Sequence, residues 1–294
     1  MIIKAAAGGG GRGMRVAHND ASLRSGLRNA MAEAGAAFGD STVYLEKFLE
    51  RARHIEVQIL GDKHGNVVHL FERDCTMQRR HQKLIEEAPC AVIDQETRDK
   101  LCRAAVRLAR AAGYYGAGTV EFLLDPQTQQ YYLLEVNARV QVEHPITEQV
   151  TGIDIVSTMI RVAAGEKLPF KQADIQLNGH AIECRINAED PDRQFAPQPG
   201  ELTRFMTPGG FGVRCDTHAF AGYRIPPNYD SLIAKLIAFG VDREEARRRM
   251  QRALSEFTVE PIRTTIDLHR RLLNNSHFVS NDIDIHFVER LLGH

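Results

Sequence analysis

The chain has 294 residues and a mass of 32.9 kDa, enough for one large domain or two medium ones. Its 37 Lys and Arg nearly balance 38 Asp and Glu, leaving a formal charge of -1 and a pI near 6.9. That balance argues against a protein held to nucleic acid by phosphate charge, which needs a marked basic excess. No run approaches the roughly 18 uncharged apolar residues of a membrane span, and the start lacks the basic-then-apolar order of a signal peptide. Cys75, Cys90, Cys102, Cys184 and Cys215 are odd in number and contain no C-x-x-C pair. They read as reduced packing residues of a cytoplasmic protein.

Met1-Ile2-Ile3 reads as the end of a buried strand running straight into a glycine-rich loop. Domains seldom begin on such a loop, so further sequence is expected before Met1. A helix is expected over 20–38, with Leu23, Leu27, Ala30, Met31 and Ala34 on one face. Residues 42–48 suggest a strand. His54-Ile55-Glu56-Val57-Gln58-Ile59 alternates as a half-buried strand does, and the turn residues 61–66 join it to a strand over 67–72 as a hairpin.

A second amphipathic helix is expected over 94–112, with Leu101, Ala105, Leu108 and Ala112 inward and Gly113 as its stop. Strands follow at 119–124 and 131–136 around the turn 125–130, then a helix over 153–164. A connection at 165–178 leads to strands at 181–186, 200–205 and 232–239. A helix from Asp242 closes the series, with Ala246, Met250, Ala253, Leu254 and Phe257 inward.

The loop Lys4-Ala-Ala-Ala-Gly-Gly-Gly-Gly-Arg-Gly-Met14 removes the Cβ atoms that would hold a phosphate away from backbone N–H groups, and Lys4 and Arg12 add charge. It is neither a Walker loop nor a dinucleotide fingerprint. Its functional reading is phosphate binding; its plain reading is a flexible surface loop.

Glu121 and Glu135 are symmetric about Thr128 at the middle of the turn, so a regular hairpin sets them opposite each other. Like charges so placed destabilise a sheet, which makes a cation the natural reason to keep them. Asn137, two residues on, shares their face. Two carboxylates and an amide oxygen suit Mg²⁺ or Mn²⁺. The alternative, two solvated glutamates, is weakened by Val120, Phe122, Leu134 and Val136, which are expected to bury the opposite face.

If the chain stays extended, Arg139 continues that face and could clamp an anion, with Glu143 beyond it as a carboxylate base or merely a surface residue. The stretch 72–83 is a mixed charge run or a lining for small anions. Arg185, on a buried-looking strand, needs an acid or an anion. Phosphate loop, divalent cation and anion clamp together suggest ATP-dependent phosphoryl transfer to a small oxyanion.

The motifs Lys4–Met14, Glu72-Arg-Asp-Cys75, Gln78-Arg-Arg-His-Gln-Lys83, Glu135-Val-Asn-Ala-Arg-Val-Gln-Val-Glu-His144, Glu183-Cys-Arg-Ile-Asn-Ala-Glu-Asp-Pro191, Pro208-Gly-Gly-Phe-Gly-Val-Arg214 and Pro226-Pro-Asn-Tyr-Asp-Ser-Leu232 resemble the biotin carboxylase family of ATP-grasp enzymes across essentially the whole chain. The resemblance implies an α+β fold: a partial ATP-grasp lid over 1–48, an ATP-grasp core over 49–170 and a biotin carboxylase C-terminal domain over 171–294. It implies a ligase that forms carboxyphosphate from ATP and bicarbonate and then carboxylates biotin on a carrier protein. Lys4, Gly10, Gly11, Glu46, Lys47, Phe48, Leu49, His54, Gln78, His81 and Glu121 would contact ATP. Glu121, Glu135 and Asn137 would hold Mg²⁺ or Mn²⁺, as two ions. Lys83, Arg139, Val142 and Glu143 would surround bicarbonate, with Glu143 as its base and Arg139 orienting it. Arg185 would stabilise the biotin enolate oxygen.

Implied partners are a biotin carboxyl carrier protein, carboxyltransferase subunits and a second copy contacted through Phe211 and Arg214. Two departures stand out. Ala6 and Ala7 replace Ser and Gly of some members, and the family's N-terminal domain and the start of its lid are expected to be missing. The form expected is the biotin carboxylase component of a bacterial acetyl-CoA carboxylase. Alternatives are the module of a pyruvate or propionyl-CoA carboxylase, or an inactive remnant that only binds partners. A carbamoyl-phosphate synthetase or carboxylate–amine ligase is disfavoured by the His81-to-Lys83 and Arg139-to-Glu143 patterns.

Overall fold

The computed structural model describes residues 1–7 and 13–293, in two compact units, Met1–Arg51 and Ala52–His294. The first unit is a small antiparallel sheet of β1 (Ile2–Ala5), β2 (Arg15–Val16) and β3 (Val43–Glu46), with β1 in the middle. Helix α1 (Asp20–Phe38) begins at a capping box: Ser22 N–H donates to the Asn19 side chain at 2.9 Å, and Asn19 N–H to Ser22 Oγ at 3.1 Å. The cap is thus Asn19, one residue before the helix. The face that packs on β1 is Gly26, Ala30 and Ala34, while Met31 points to solvent. Gly26 lets the helix lie close to β1: a Cβ there would come within 2.8 Å of Ile3 Cδ1 and oblige that side chain to shift. Residues 8–12 of the expected phosphate loop, Gly10 and Gly11 among them, lie outside the described residues.

The second unit is built on one eight-stranded antiparallel sheet. From one edge its order is Val213–Thr217, Leu232–Gly240, β9 (His180–Asn187), β6 (Gln82–Ala88), β5 (Val67–Arg79), β4 (Arg53–Gly61), β7 (Gly116–Leu124) and β8 (Tyr131–Asn137). Helix α2 (Gln95–Ala111), capped by Asp94, lies on one face over Ile55, Val57, Ile59, Val120 and Phe122. Helices α3 (His144–Thr151) and α4 (Ile155–Ala163) lie on the other face. Helix α5 (Arg243–Glu256) packs on β9 and its neighbour Leu232–Gly240, and a large core forms beneath it from Ile182, Cys184, Ile186, Leu236 and Met250.

Several expectations change. β4 is not half-buried: all nine residues are buried, because α3 and the segment before it cover the polar face of Glu56 and Gln58. β5 runs on to Arg79, well past residue 72, and turns into β6 through Arg80 and His81 at φ 46° and 65°, the left-handed pair that a two-residue hairpin needs. The chain does not stay extended after β8. It turns and enters α3, where Pro145 in the first turn is a start signal that the extended reading overlooks. The expected strand at 200–205 is two pieces, Gly200–Glu201 and Arg204–Met206, paired with different strands. Helix α2 buries Ala109 and leaves Ala112 exposed. All five cysteines are free thiols.

Candidate active site

Four strands set a row of charge on the face opposite α2. Their register pairs Arg73 with Glu56, Glu56 with Glu121, and Glu121 with Glu135. The facing arrangement expected for Glu121 and Glu135 is therefore present. It holds for the Val120–Val136 and Thr119–Asn137 pairs too, and slips only beyond Glu121, where Phe122 faces Leu133. The neighbours differ from expectation: Val120 and Phe122 are buried, but Leu134 and Val136 are 39% and 44% exposed, because β8 is an edge strand.

Arg73 anchors the row. Its buried guanidinium donates to Glu56 Oε1 at 2.6 Å, Gln58 Oε1 at 2.7 Å, Thr147 and Gln141 at 3.1 Å and Thr119 at 3.2 Å. Gln141 in turn donates to Glu121 Oε1 at 2.8 Å, which ties the segment before α3 to the row. Lys83 lies between three carboxylates, at 2.6 Å from Glu56, 3.2 Å from Glu121 and 2.5 Å from Glu143. Burial opposes its charge, but Glu56, Glu143 and Glu121 outweigh burial and hold the ammonium well above the usual lysine range.

The acids answer in kind. Burial would raise the Glu56 carboxyl, yet Lys83 and Arg73 bring it down to about 2. Burial would likewise raise Glu121, and His54, Lys83 and Gln141 bring it to about 2. His54 Nε2 sits 3.0 Å from Glu121 Oε2, and Gln78 lies 3.4 Å from His54 Nδ1.

Glu143, 2% exposed, joins this cluster to a second cation: its Oε2 accepts from Arg185 Nη2 at 3.0 Å, while Arg185 Nε donates to Glu86 at 2.6 Å. Both acids of Arg185 are thus identified. Lys235 donates to the Val142 carbonyl at 3.2 Å. Arg139 is exposed and off the strand, but its Nη2 still reaches Asn137 Oδ1 at 3.1 Å. Asn137 Nδ2 donates to both Glu121 at 3.0 Å and Glu135 at 3.3 Å. Turned by half, the Asn137 amide would present its oxygen beside the two carboxylates in place of its N–H₂. Two facing carboxylates with a turnable amide, all oxygen donors, fit a hard divalent cation.

The remaining candidates are placed as follows. His54, Gln78, Lys83, Glu121, Glu135, Asn137, Arg139, Glu143 and Arg185 form the continuous array just described. His81 is exposed at the hairpin tip. Lys4 and Glu46 pair with each other in the first unit, whose β3 is followed by Lys47, Phe48 and Leu49. Phe211 is 82% exposed beneath the Arg249 guanidinium, and Arg214 bonds Glu148 at 2.7 Å and Asp216 at 2.8 Å. Sequence reasoning misses Glu56, Gln141 and Glu86. Glu56 has a signal, since it occupies the polar phase of an alternating strand two residues from His54.

Residues 1–171 match the family described as "Carbamoyl-phosphate synthase L chain, ATP binding domain", and residues 183–290 match "Biotin carboxylase C-terminal domain". Biotin carboxylase 1 of Bacillus subtilis is 53% identical over 98% of this chain and 64% of its own length. A pyruvate carboxylase subunit of Methanothermobacter thermautotrophicus is 52% identical over 98% of this chain and 58% of its own. The solved biotin carboxylase domain dimer of the Hydrogenobacter thermophilus 2-oxoglutarate carboxylase, in complex with MgADP, ADP and bicarbonate, superposes with a TM-score of 0.90 at 47% identity over 98% of this chain and 64% of that one. The fold is that of an ATP-grasp domain followed by a biotin carboxylase C-terminal domain. The chain belongs to the biotin carboxylase family. It spans just under two thirds of the length of the curated relatives it matches. Among the described residues no helix is long and apolar enough to cross a membrane.

Proposed function

We propose that the chain carries the chemistry of an ATP-dependent ligase that activates bicarbonate as carboxyphosphate and transfers the carboxyl group to biotin on a carrier protein. The observation that carries this reading is Glu143, a buried carboxylate held between Lys83 and Arg185 a short step from the facing pair Glu121 and Glu135. Glu143 occupies the place of an oxyanion between two cations. A bicarbonate bound beside it shares Lys83 and Arg139 and gives its O–H proton to the Glu143 carboxylate. The freed oxygen attacks the γ-phosphorus of ATP as the bond to the leaving ADP oxygen breaks. When Glu143 takes that proton it loses its charge, and its hold on Lys83 and Arg185 weakens. The C–O bond of carboxyphosphate then breaks, the released phosphate takes the N1′ proton of biotin, and N1′ bonds the carboxyl carbon, while Arg185 Nη2 is free to meet the negative oxygen of the ionised biotin and Nε stays on Glu86. Glu121, Glu135 and Asn137 would hold Mg²⁺ or Mn²⁺, which when bound neutralises phosphate charge.

Lys4, Gly10, Gly11, Glu46, Lys47, Phe48, Leu49, His54, Gln78 and His81 are assigned to ATP by resemblance, and Val142 to bicarbonate. Residues 1–48, 49–170 and 171–294 are taken as partial lid, core and C-terminal domain. A biotin carboxyl carrier protein, carboxyltransferase subunits and a second copy met through Phe211 and Arg214 are the proposed partners, in the cytoplasm. The acceptor is taken to be acetyl-CoA on motif resemblance. The 52% identity to a pyruvate carboxylase component supports pyruvate as the second reading, and carboxyl transfer to each acceptor separates the two. The chain alone is expected to cleave little ATP, so the test of the main reading is ATP cleavage, with and without bicarbonate, by the chain supplied with the N-terminal domain of a biotin carboxylase relative. Cleavage requiring bicarbonate and a divalent cation, abolished by Glu143→Gln while nucleotide still binds, is expected. Cleavage indifferent to bicarbonate overturns it.

A further inference from the structure

Behind Arg185 lies a second pair of facing acids that the proposed reaction does not use. β6 and β9 pair Glu86 directly with Glu183, and both are fully buried. Glu86 commits one oxygen to Arg185; its Oε2 and both oxygens of Glu183 find no hydrogen-bond partner among the described residues. The pair sits against an apolar patch. Two residues along, Ala88 faces Ala181, and with Ile237 these pack under Ile146 and Val150 of α3.

The charged groups facing the pair can be named element by element. β6 contributes Lys83, which is engaged by Glu56, Glu121 and Glu143. β9 contributes Arg185. The Leu232–Gly240 strand contributes Lys235, which is held by Val142 O and by Asp216 at 3.6 Å. α3 and its cap contribute Glu143, His144 and Glu148, and Glu148 is held by Arg214. On the opposite face, under α5, Glu87, His180 and Arg243 pair among themselves. Among the described residues only Arg185 bonds either acid of the pair directly, and it is already shared with Glu143.

Two ionised carboxylates facing each other, fully buried and with one half-share of a cation between them, are far too costly to bury. We propose that Glu86 and Glu183 hold one proton between them, so that Arg185 is anchored from behind by a single negative charge and keeps Nη2 directed at Glu143. Burial pushes the Glu86 carboxyl up to about 7 against the pull of Arg185, but Glu86 has the guanidinium and Glu183 does not, so Glu86 is the member that ionises and Glu183 the one that stays neutral. Burial first and Glu86 second both push the Glu183 carboxyl well above the usual range, in keeping with this assignment. Glu183 is thus a positioning residue for Arg185. That role rests on the function proposed for Arg185, but the shared proton does not.

The test is infrared spectroscopy of the chain near neutral pH, with Glu183→Gln and Glu86→Gln. The wild type is expected to show the C=O stretch of a protonated carboxyl, shifted by exchange into heavy water. The band should vanish in both variants, because in Glu86→Gln the remaining acid becomes Arg185's only rear partner and ionises. The sign of the stability effect gives an independent readout. Glu183 binds its proton more tightly folded than unfolded, so the wild type's excess stability from it is whole below the ordinary glutamate range and falls as pH rises above that range. The folding equilibrium of Glu183→Gln should therefore gain on the wild type by about tenfold per pH unit there, until the folded carboxyl ionises. If Glu183→Gln does not fold, Glu86→Gln alone decides through the band. A wild type without the band, or a band surviving in a variant, overturns the proposal. Either result leaves bicarbonate-dependent ATP cleavage untouched, and loss of that activity leaves the band untouched.

Discussion

Arg73→Met is the sharpest perturbation of the site's foundation. The guanidinium is fully buried and bonds Glu56, Gln58, Thr119, Gln141 and Thr147 from four separate parts of the fold. Methionine fills much of the volume but leaves Glu56 with Lys83 as its remaining strong cation partner, and leaves four neutral groups short of a bond. Breaking one partner of a buried ion pair costs about 3–5 kcal/mol, and unpaired neutral groups move the figure toward the upper end. At about 2–4 °C per kcal/mol for a unit of this size, the melting temperature should fall by roughly 6–20 °C. Urea unfolding of Arg73→Met, Glu56→Gln and the double variant measures this. The double variant should recover part of the loss, with a coupling of about 0.5–3 kcal/mol. A single variant within about 1 kcal/mol of wild type, the scatter of ordinary substitutions, refutes the idea that this guanidinium organises the row.

Two further outcomes are expected. Glu135→Gln removes one of two facing charges, so without metal the chain should gain about 0.2–1 kcal/mol, while added Mg²⁺ should no longer raise its melting temperature. Burial alone would raise the Glu87 carboxyl, but Arg243 and His180 hold it far below the usual range. Its contribution is therefore present above the ordinary glutamate value of 4.5 and lost as pH falls below it. Acid unfolding of Glu87→Gln should be shallower than wild type by about 1.4 kcal/mol per pH unit in that window.

Much of this site could be read before the fold was known. Glu121 and Glu135 face each other as their symmetry about Thr128 suggests, but the turn alone does not set this: beside the turn Leu124 faces Tyr131 and Phe122 faces Leu133, and a one-residue irregularity between Glu121 and Phe122 brings the two glutamates opposite each other. Helix ends were legible where caps such as Asp94 and Asp242 stood. What escaped was set by contacts far apart in sequence. Glu56 and Gln58 look solvent-facing in an alternating strand, and only the chain around Gln141 and Thr147, over eighty residues later, buries them. Leu134 and Val136 look like core because apolarity does not reveal that β8 lies at a sheet edge. Arg185 was seen to need an acid, but choosing Glu86 and Glu143 required the strand order β9–β6 and the turn into α3.

The central claim is that Glu121 and Glu135 face each other to hold a divalent cation beside the bicarbonate group. Electron paramagnetic resonance of Mn²⁺ titrated with the chain and ADP tests it most directly. The account predicts that wild type quenches the free-ion signal and that Glu121→Gln and Glu135→Gln each restore it. Equal quenching by both variants would contradict the claim.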